Sequence, residues 1–323
     1  MEPTPMVGMR IGNYRVLRQI GRGGMGAVFE AVNDGIGKRV AIKVLHPHFA
    51  QDPHIAGRFN NEARLAGTIH HPGIVQIFDF GQIEGASAYL VMEFLQGEPL
   101  NSRIRRVGVM PTVELLRIGR QLATALAAAH ALHVVHRDLK PSNIILVPDP
   151  EAAGGERAKI VDFGIAKIVQ DAETERAEDE EASFHTHNGA LVGTPTYMSP
   201  EQCRGDGNVD ERSDVYSLGV LFYHMLAGHP PFTAKGDGAV LAMHIYEEPP
   251  PLAEVAPAVM PQVGALVARM LAKNPQARPS MEGVARELEG LGAKLSSSIS
   301  VVGALAALPL PAVVTVPGEG TME

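Results

Sequence analysis

The sequence predicts an α+β fold in two lobes, a small, mainly antiparallel β N-lobe with one key helix and a larger, mainly helical C-lobe. Short apolar runs of strand length occupy the N-terminal third, and helical spacing of apolar residues prevails after residue 115. The chain has 323 residues, of which 45% are hydrophobic, enough for one large core or two modest ones.

The composition excludes several classes of function. The formal net charge is −8 and the pI is near 5.9. Nucleic-acid binding needs clustered lysine and arginine, which this chain lacks, so we expect no nucleic-acid partner. The single cysteine, Cys203, excludes an internal disulfide and fits a reducing cytosol. The first thirteen residues lack the basic and then apolar pattern of a secretory signal.

A glycine-rich stretch separates the first two apolar runs. The runs Tyr14–Leu17 and Ala27–Val32 flank Gly21-Arg22-Gly23-Gly24-Met25-Gly26, so the glycines are expected in a turn between two strands. A dinucleotide-binding loop would open a helix, and a P-loop would end in Gly-Lys-Ser/Thr; neither pattern is present. Taken alone, the spacing is also compatible with an ordinary hairpin turn.

One helix is expected in the N-lobe. Asp52-Pro53 is a typical helix start, an N-cap followed by proline in the first turn. Glu62 lies beside the apolar face of this helix, where a lone glutamate is usually a solvated charge. The apolar face carries Ile55, Phe59, Ala63, Ala66 and Ile69.

The C-lobe is expected after a buried strand, Ala88–Phe94, whose end runs into a connector between the lobes. Ser213–Phe222 begins a helix that is apolar nearly all round and therefore buried, and Gln262–Lys273 and Met281–Leu291 predict two more helices. An earlier amphipathic helix is indicated by Leu115, Ile118, Leu122, Ala125, Leu126 and Ala129.

Two short strands, Ile144–Val147 and Lys159–Val161, are expected to bracket a polar loop at Pro148–Arg157. Before them stands His136-Arg137-Asp138-Leu139-Lys140-Pro141-Ser142-Asn143, and Asp162-Phe163-Gly164 follows nineteen residues after its Asn. An Asp that accepts a hydroxyl proton, a nearby Lys, an Asn and a second Asp before Gly form a side-chain set for phosphoryl transfer with two metal ligands. The motif therefore predicts a phosphotransferase.

These motifs resemble the eukaryotic-type protein kinases. The glycine stretch with Val28, then Val40-Ala41-Ile42-Lys43, then the two polar motifs occur in that family's order over about Tyr14–Leu291. The lysine at position 140 is similar to that of the Ser/Thr-specific branch of the family. The sequence of Gly193–Gln202 is similar to that of the bacterial members. The resemblance implies a protein kinase fold with a kinase domain at 14–292, divided into an N-lobe at about 14–95 and a C-lobe at about 96–292, after an N-terminal tail at 1–13.

The resemblance also implies the catalytic roles. Asp138 would orient and deprotonate the acceptor hydroxyl, and Lys140 would stabilise charge on the γ-phosphate. Lys43, paired with Glu62, would hold the α and β phosphates of ATP. Thr194 would bridge the two residues of the catalytic loop.

The same resemblance places the metal and the nucleotide. Asn143 and Asp162 would bind Mg²⁺, for which Mn²⁺ could substitute. The Glu93 carbonyl and the Leu95 amide would bond the adenine edge. Glycines are needed over the phosphates because a Cβ would keep the backbone N–H groups away. The expected ATP-binding residues are Ile20, Gly21, Gly23, Gly26, Val28, Ala41, Lys43, Met92, Glu93, Leu95 and Ile145.

Two internal braces are implied in the C-lobe. Asp214 would tie the buried helix to the backbone of the catalytic loop, and Arg278 would pair with Glu201. The segment from Asp162 to Glu201 carries seven acidic residues and one arginine between positions 171 and 181, which is typical of a solvated linker. Its candidate phosphorylation sites are Thr174, Ser183 and Thr186, with Arg137 as the expected phosphate partner.

Three rival functions stay open. A pseudokinase would bind nucleotide without transferring phosphate, but such proteins typically lack one of the polar residues that are all present here. A small-molecule kinase of similar fold would lack the segment Thr194–Glu201. A scaffold that acts through its C-terminal tail would need catalysis only secondarily. The expected partners are proteins with Ser or Thr acceptors, and they could include a second copy of the chain for autophosphorylation in trans.

The apolar tail at 293–323 requires a separate interpretation. Residues 299–316 are mostly Val, Ala and Leu, and as a helix they would span about 27 Å, just short of a hydrocarbon core of about 30 Å. Pro309 and Pro311 would kink such a helix. Either a membrane anchor or a soluble docking segment fits, with a cytoplasmic kinase domain in both cases.

Overall fold

The computed structural model of the protein describes residues 6–23, 26–46, 49, 53–83, 87–163, 195–207 and 209–306, without the side chains of 53–56, 58, 60, 62 and 296–306. Strands dominate the first part of this chain and helices the second. The prediction of an antiparallel N-lobe followed by a helical C-lobe is confirmed.

The N-lobe is a six-stranded antiparallel sheet with the order β1-β2-β3-β4-β6-β5. β2 and β3 form a hairpin around the glycine-rich stretch, with Arg22 opposite Ala27, so the stretch connects two strands as predicted; Gly21 lies in β2 and Gly26 begins β3. The strands are β1 (Arg10–Ile11), β2 (Tyr14–Arg22), β3 (Gly26–Asn33), β4 (Arg39–Leu45), β5 (Ile77–Ile83) and β6 (Ser87–Glu93).

Helix α1 (Pro53–Gly67) packs against this sheet and begins at the predicted proline. Phe59 and Ala63 are each 1% exposed and contact Leu45 and Leu90 of the sheet. The predicted apolar face is therefore the one that is buried, where its side chains are described. Glu62 lies in this helix, but its side chain is outside the described part of the chain.

A second, three-stranded sheet joins the lobes. It consists of β7 (Glu98–Pro99), β8 (Ile144–Pro148) and β9 (Glu156–Ile160). The predicted strand Lys159–Val161 was placed too late in the sequence, because β9 begins at Glu156 and ends before Val161. Ion pairs explain the early start: Arg103 and Arg117 both hold Glu156, which extends the pairing with β8 to the Pro148–Glu156 pair.

The C-lobe is built around the buried helix α5. Its residues from Val215 to Leu226 are almost completely buried, as the apolar sequence predicted, and the amphipathic helix α3 packs against it. The helices are α2 (Leu100–Val107), α3 (Thr112–His130), α4 (Pro200–Arg204), α5 (Arg212–Ala227), α6 (Asp237–Tyr246), α7 (Leu252–Val255), α8 (Pro261–Met270) and α9 (Met281–Ala306).

Two helix ends differ from the prediction. α8 ends at Met270, because the chain turns after Leu271 and Asn274 then caps a short 3-10 turn at Pro275–Ala277. α9 continues to Ala306, well past the predicted end at Leu291, since the serine and alanine residues that follow are compatible with a helix. In the described part of the chain, no helix combines the length and apolarity that a membrane crossing requires.

The contact between α5 and α6 contains a buried histidine whose titration should affect stability. His244 is 0% exposed, and its burial, together with the charge of Lys273, lowers its pKa to about 4. In the unfolded chain this histidine has its ordinary pKa of 6.5, so stability should fall as the pH decreases from 6.5 towards 4. Between pH 7.5 and pH 5 we expect a loss of about 2 kcal/mol from this residue. Urea unfolding of the parent and of His244→Gln at both pH values measures it, and an identical pH dependence in the two proteins would contradict it.

Candidate active site

The loop that carries the polar motif, residues 136–143, is held from below by Asp214 at the start of α5. This carboxylate is 0% exposed and accepts hydrogen bonds from the backbone N–H of His136 and of Arg137, both at 2.8 Å. His130 Nε2 donates to the same carboxylate at 2.8 Å. Although burial opposes ionisation, these donors hold the pKa of Asp214 below its usual range. The predicted brace between Asp214 and the loop is confirmed.

Arg137 has a left-handed backbone conformation, with φ at 62°. Such a conformation is unfavourable for a residue with a Cβ and persists only where the surroundings enforce it. Here Asp214 holds the Arg137 N–H, and Gln202 Nε2 of α4 donates to the Arg137 carbonyl at 2.7 Å. The next residue, Asp138, is partly exposed, with 26% of its side chain accessible.

Two polar side chains of the loop converge on Asp138. Lys140 Nζ donates to its carboxylate oxygens at 3.0 and 2.8 Å. Asn143 Nδ2 donates to the Asp138 carbonyl at 2.9 Å and to Oδ2 at 3.1 Å. This orientation points the Asn143 amide nitrogen at Asp138 and leaves Oδ1 with only a long 3.5 Å contact from Ser142 Oγ. Oδ1 is therefore the atom that can bind a metal.

The second sheet brings Asp162 to this loop. The backbone N–H of Val161 donates to the Asn143 carbonyl at 2.9 Å, which continues the β8–β9 pairing by one step. His136 Nε2 donates to the Val161 carbonyl at 3.0 Å, and its ring lies 4.8 Å from that of Phe163. Asp162, between Val161 and Phe163, is thereby fixed next to Asn143, with φ at 58°.

Lys43 completes the cluster from the N-lobe. Its Nζ donates to Asp162 Oδ1 at 2.9 Å, across 119 residues of sequence. Burial opposes ionisation of Asp162, but the charge and hydrogen bond of Lys43, with contributions from His136 and Lys140, keep its pKa below the usual range. Asp162 is thus a carboxylate at neutral pH. Mg²⁺ is typically held by one or two carboxylates and substrate phosphates, so Asp162 with Asn143 Oδ1 is a fitting donor set.

Apolar side chains form a pocket beside the cluster. Ala41, Val75 and Met92 are buried together, and Val28, Phe94, Leu95 and Val161 pack against them. A small cavity behind Met92 is also lined by Asp162 and Phe163, so the apolar pocket and the polar cluster are adjacent. Ile145 lies in β8 beneath the connector, and Ile20, which is 40% exposed, lies just before the glycine turn.

The connector between the lobes offers backbone groups to this pocket. The Glu93 N–H already donates to the Gln76 carbonyl at 2.8 Å, and the Glu93 side chain pairs with Lys159 at 2.6 Å. The Leu95 N–H makes no hydrogen bond within the described residues. Gly97 is required here, because a Cβ would come within 2.2 Å of the Leu146 carbonyl oxygen.

The glycines at the β2–β3 turn are explained by different physical causes. A Cβ on Gly26 would lie 2.1 Å from the Val44 carbonyl oxygen, so packing against β4 alone requires this glycine. Gly21 and Gly23 have no such neighbour, since the closest atoms to a Cβ would be 3.6 and 4.0 Å away. Packing therefore does not explain these two glycines, whereas close approach of a ligand to the backbone would; the Gly23 N–H itself donates to the Gly26 carbonyl at 2.8 Å.

Several predicted residues lie outside the described part of the chain. They are the Glu62 side chain and the residues Thr174, Ser183, Thr186 and Thr194. The predicted pair of Lys43 with Glu62 and the bridging role of Thr194 therefore stay predictions.

The structure adds residues that the sequence did not reveal. Val75 and Val161 complete the apolar pocket, Gln202 anchors the Arg137 carbonyl, and His130 shares Asp214. Only the position of Val161, directly before the second Asp motif, could have suggested it from sequence.

The predicted ion pair between Arg278 and Glu201 in the C-lobe is confirmed. Arg278 Nη1 and Nη2 donate to the Glu201 carboxylate at 2.7 and 2.9 Å, and Arg278 also donates to the backbone carbonyls of Arg212 and Ala272.

Residues 14–288 match the family model described as the protein kinase domain. The chain belongs to the protein kinase family.

Relatives of this kinase are bacterial. It is 43% identical over 274 residues to the serine/threonine-protein kinase Pkn1 of Myxococcus xanthus, which covers 85% of this chain and 37% of the relative. It is 42% identical over 280 residues to the serine/threonine-protein kinase PknA of Mycobacterium tuberculosis, covering 85% and 60% respectively. The kinase therefore spans between 37% and 60% of the length of these two relatives.

Solved structures agree with the fold. The crystal structure of the Mycobacterium tuberculosis PknI kinase domain superposes with a TM-score of 0.66 at 28% identity, covering 88% of this chain and 98% of that one. The two-lobed protein kinase fold is thus confirmed.

Proposed function

We propose that this chain is an ATP-dependent protein serine/threonine kinase that transfers the γ-phosphate of ATP to Ser and Thr hydroxyls of proteins, its own included. One observation carries the proposal: the pair of Lys43 and Asp162 and the group of Asp138, Lys140 and Asn143 lie together beside an apolar pocket, joined by the hydrogen bond from the Val161 N–H to the Asn143 carbonyl.

Each residue of the cluster has a defined task. Phosphoryl transfer passes through a loose transition state, so positioning and charge stabilisation dominate. Lys43 holds the α and β phosphates, Asp138 orients the acceptor hydroxyl and takes its proton, and Lys140 shifts from Asp138 towards the charge that develops on the γ-phosphate. Lys140 is close enough, because it lies 2.8 Å from the Asp138 carboxylate.

Asn143 Oδ1 and the Asp162 carboxylate would hold Mg²⁺ or Mn²⁺, which would offset the negative charge of the phosphates. The adenine ring would lie between Val28 and Ala41 above and Ile145 and Val161 below, with the Leu95 N–H and the Glu93 carbonyl at its edge. The Leu95 N–H, for which the described residues provide no acceptor, supports this placement.

The proposal is tested by incubating the purified chain with γ-labelled ATP and Mg²⁺, and identifying the labelled amino acids after hydrolysis. We expect label on Ser and Thr of the chain and of an added acceptor such as dephosphorylated casein. Label confined to tyrosine, or ATP binding without any transfer, would contradict it and favour respectively a different specificity or a pseudokinase.

Regulation by phosphorylation in the segment before Thr194 is supported by Arg137. Its Nε is buried and has no hydrogen-bond partner in the described part of the chain. A phosphate on Thr186 would supply charge-assisted hydrogen bonds to this guanidinium.

Replacing Thr186 by Val should therefore reduce transfer to casein on the order of tenfold, because one or two such hydrogen bonds order the segment. Thr174→Val is the matched control and should retain the activity of the parent. The comparison is made after preincubation of each protein with ATP, and activity of Thr186→Val equal to that of the parent would exclude this switch.

The tail beyond residue 294 is proposed to be a docking segment for protein rather than a bilayer anchor, because its apolar run is short and Pro309 and Pro311 interrupt it. We expect the full chain to remain in the soluble fraction when it is floated with phospholipid vesicles. Flotation of the full chain that is lost after deletion of residues past 294 would establish an anchor instead.

A further inference from the structure

A short 3-10 turn, Pro195–Tyr197, packs against α5 and α6. It directly follows Thr194 and leads into α4, whose Gln202 donates to the carbonyl of Arg137, next to Asp138. The turn is therefore linked through α4 to the backbone beside Asp138, the residue to which the proposed function assigns the acceptor hydroxyl.

Polar contacts from two different helices hold the turn. Ser217 Oγ of α5 donates to the Tyr197 carbonyl at 2.7 Å, and His224 Nδ1 lies 2.7 Å from the Tyr197 hydroxyl. His244 Nε2 of α6 lies 3.1 Å from the Thr196 carbonyl oxygen. Within the described residues, His244 provides the side-chain hydrogen bond between the turn and α6.

The geometry fixes the proton of His244. A carbonyl oxygen can only accept, so Nε2 must carry the hydrogen that bonds Thr196. Nδ1, 3.0 Å from the Tyr216 hydroxyl, must then accept from that hydroxyl. The ring is neutral, consistent with its burial, and Phe232 packs edge-on against it with ring centroids 5.0 Å apart.

The surroundings keep this imidazole in place. Lys273 Nζ donates to the carbonyl of His244 at 2.9 Å and lies over the Phe232 ring. On the other side, the Arg278 guanidinium stacks 4.9 Å from the Tyr216 ring while it holds Glu201. The Thr196 carbonyl is thus tied to the same rigid network that braces the start of α4.

We propose that His244 is a positioning residue for the acceptor side of the reaction: its Nε2–H fixes the Thr196 carbonyl, and through it the turn that leads into α4 and to the Arg137 carbonyl beside Asp138. The inference rests on the proposed protein kinase function. It assigns His244 no contact with the nucleotide, so acceptor transfer and ATP binding should separate when the hydrogen bond is removed.

Three variants isolate that hydrogen bond. His244→Gln keeps an N–H donor that can reach the position of Nε2. His244→Met has a similar length but no donor, and His244→Asn can accept from Tyr216 but cannot reach Thr196 with a donor. We measure kcat/KM for transfer to dephosphorylated casein, and in parallel the KM for ATP and the rate of ATP hydrolysis without acceptor.

His244→Met and His244→Asn should lose about 10-fold to 100-fold in kcat/KM for casein, while His244→Gln stays within about threefold of the parent. ATP hydrolysis and the KM for ATP should not change in any of the three. Equal transfer by all three variants, at any level, or a parallel fall in ATP hydrolysis, would overturn the inference. Absence of transfer by the parent itself would instead refute the proposed function, so the two failures are distinguishable.

Discussion

Replacing Asp138 by Asn should lower phosphate transfer about 10³-fold or more and leave the affinity for ATP within about threefold of the parent. The amide has nearly the same shape and can still accept from Lys140 and Asn143, whose nitrogens lie 2.8 and 3.1 Å from Asp138 Oδ2. It cannot take a proton from an acceptor hydroxyl. Label transfer to casein measures the first effect, and titration with a fluorescent ATP analogue measures the second.

Asp149→Asn is the matched control for this variant. Asp149 also pairs with a basic residue, Arg157, but it lies in the loop between β8 and β9, outside the polar cluster. The control should transfer phosphate at the rate of the parent. Undiminished transfer by Asp138→Asn would remove this residue from its role as the base.

Replacing Arg278 by Met should lower the free energy of unfolding by about 3 to 5 kcal/mol, because it leaves the buried Glu201 carboxylate without its cation. Arg278 and Glu201 are each only 5% exposed. Although burial opposes its ionisation, the hydrogen bonds and charge of Arg278 hold the pKa of Glu201 below its usual range. Urea unfolding at pH 7 measures the loss.

The chain offers a surface pair of the same chemistry for comparison. Arg269 donates to both oxygens of Glu287 at 2.7 Å, but both side chains are substantially exposed. Arg269→Met should cost less than about 1 kcal/mol. Adding Glu201→Gln to Arg278→Met should recover part of the loss, since it removes the unpaired charge. A loss for Arg278→Met no larger than for Arg269→Met would contradict the role of the buried pair.

The sequence predicted the parts of the site that are short and contiguous. Asp138, Lys140 and Asn143 share one loop, so their spacing alone indicates that they act together. The hairpin around the glycines, the buried face of α1 and the buried helix α5 followed from apolar periodicity. The resemblance to protein kinases supplied what periodicity cannot, namely the braces of Asp214 and of Arg278 with Glu201.

Contacts between a side chain and a distant backbone carbonyl were not predictable. Gln202 reaches the Arg137 carbonyl across 65 residues and His244 reaches the Thr196 carbonyl across 48 residues. Any residue has a carbonyl, so such a contact imposes no pattern on the partner's sequence. The early start of β9 was missed for a similar reason, since it depends on Arg103 and Arg117 from other elements.

The convergence of Lys43, Asp138, Asn143 and Asp162 on one nucleotide and its metal is tested most directly by a crystal structure with Mn²⁺ and a non-hydrolysable ATP analogue. The anomalous signal of Mn²⁺ should lie within about 2.5 Å of Asn143 Oδ1 and of the Asp162 carboxylate, with Lys43 Nζ bonded to a phosphate. A metal peak bound by other residues, or a nucleotide seated away from these four side chains, would contradict the proposed site.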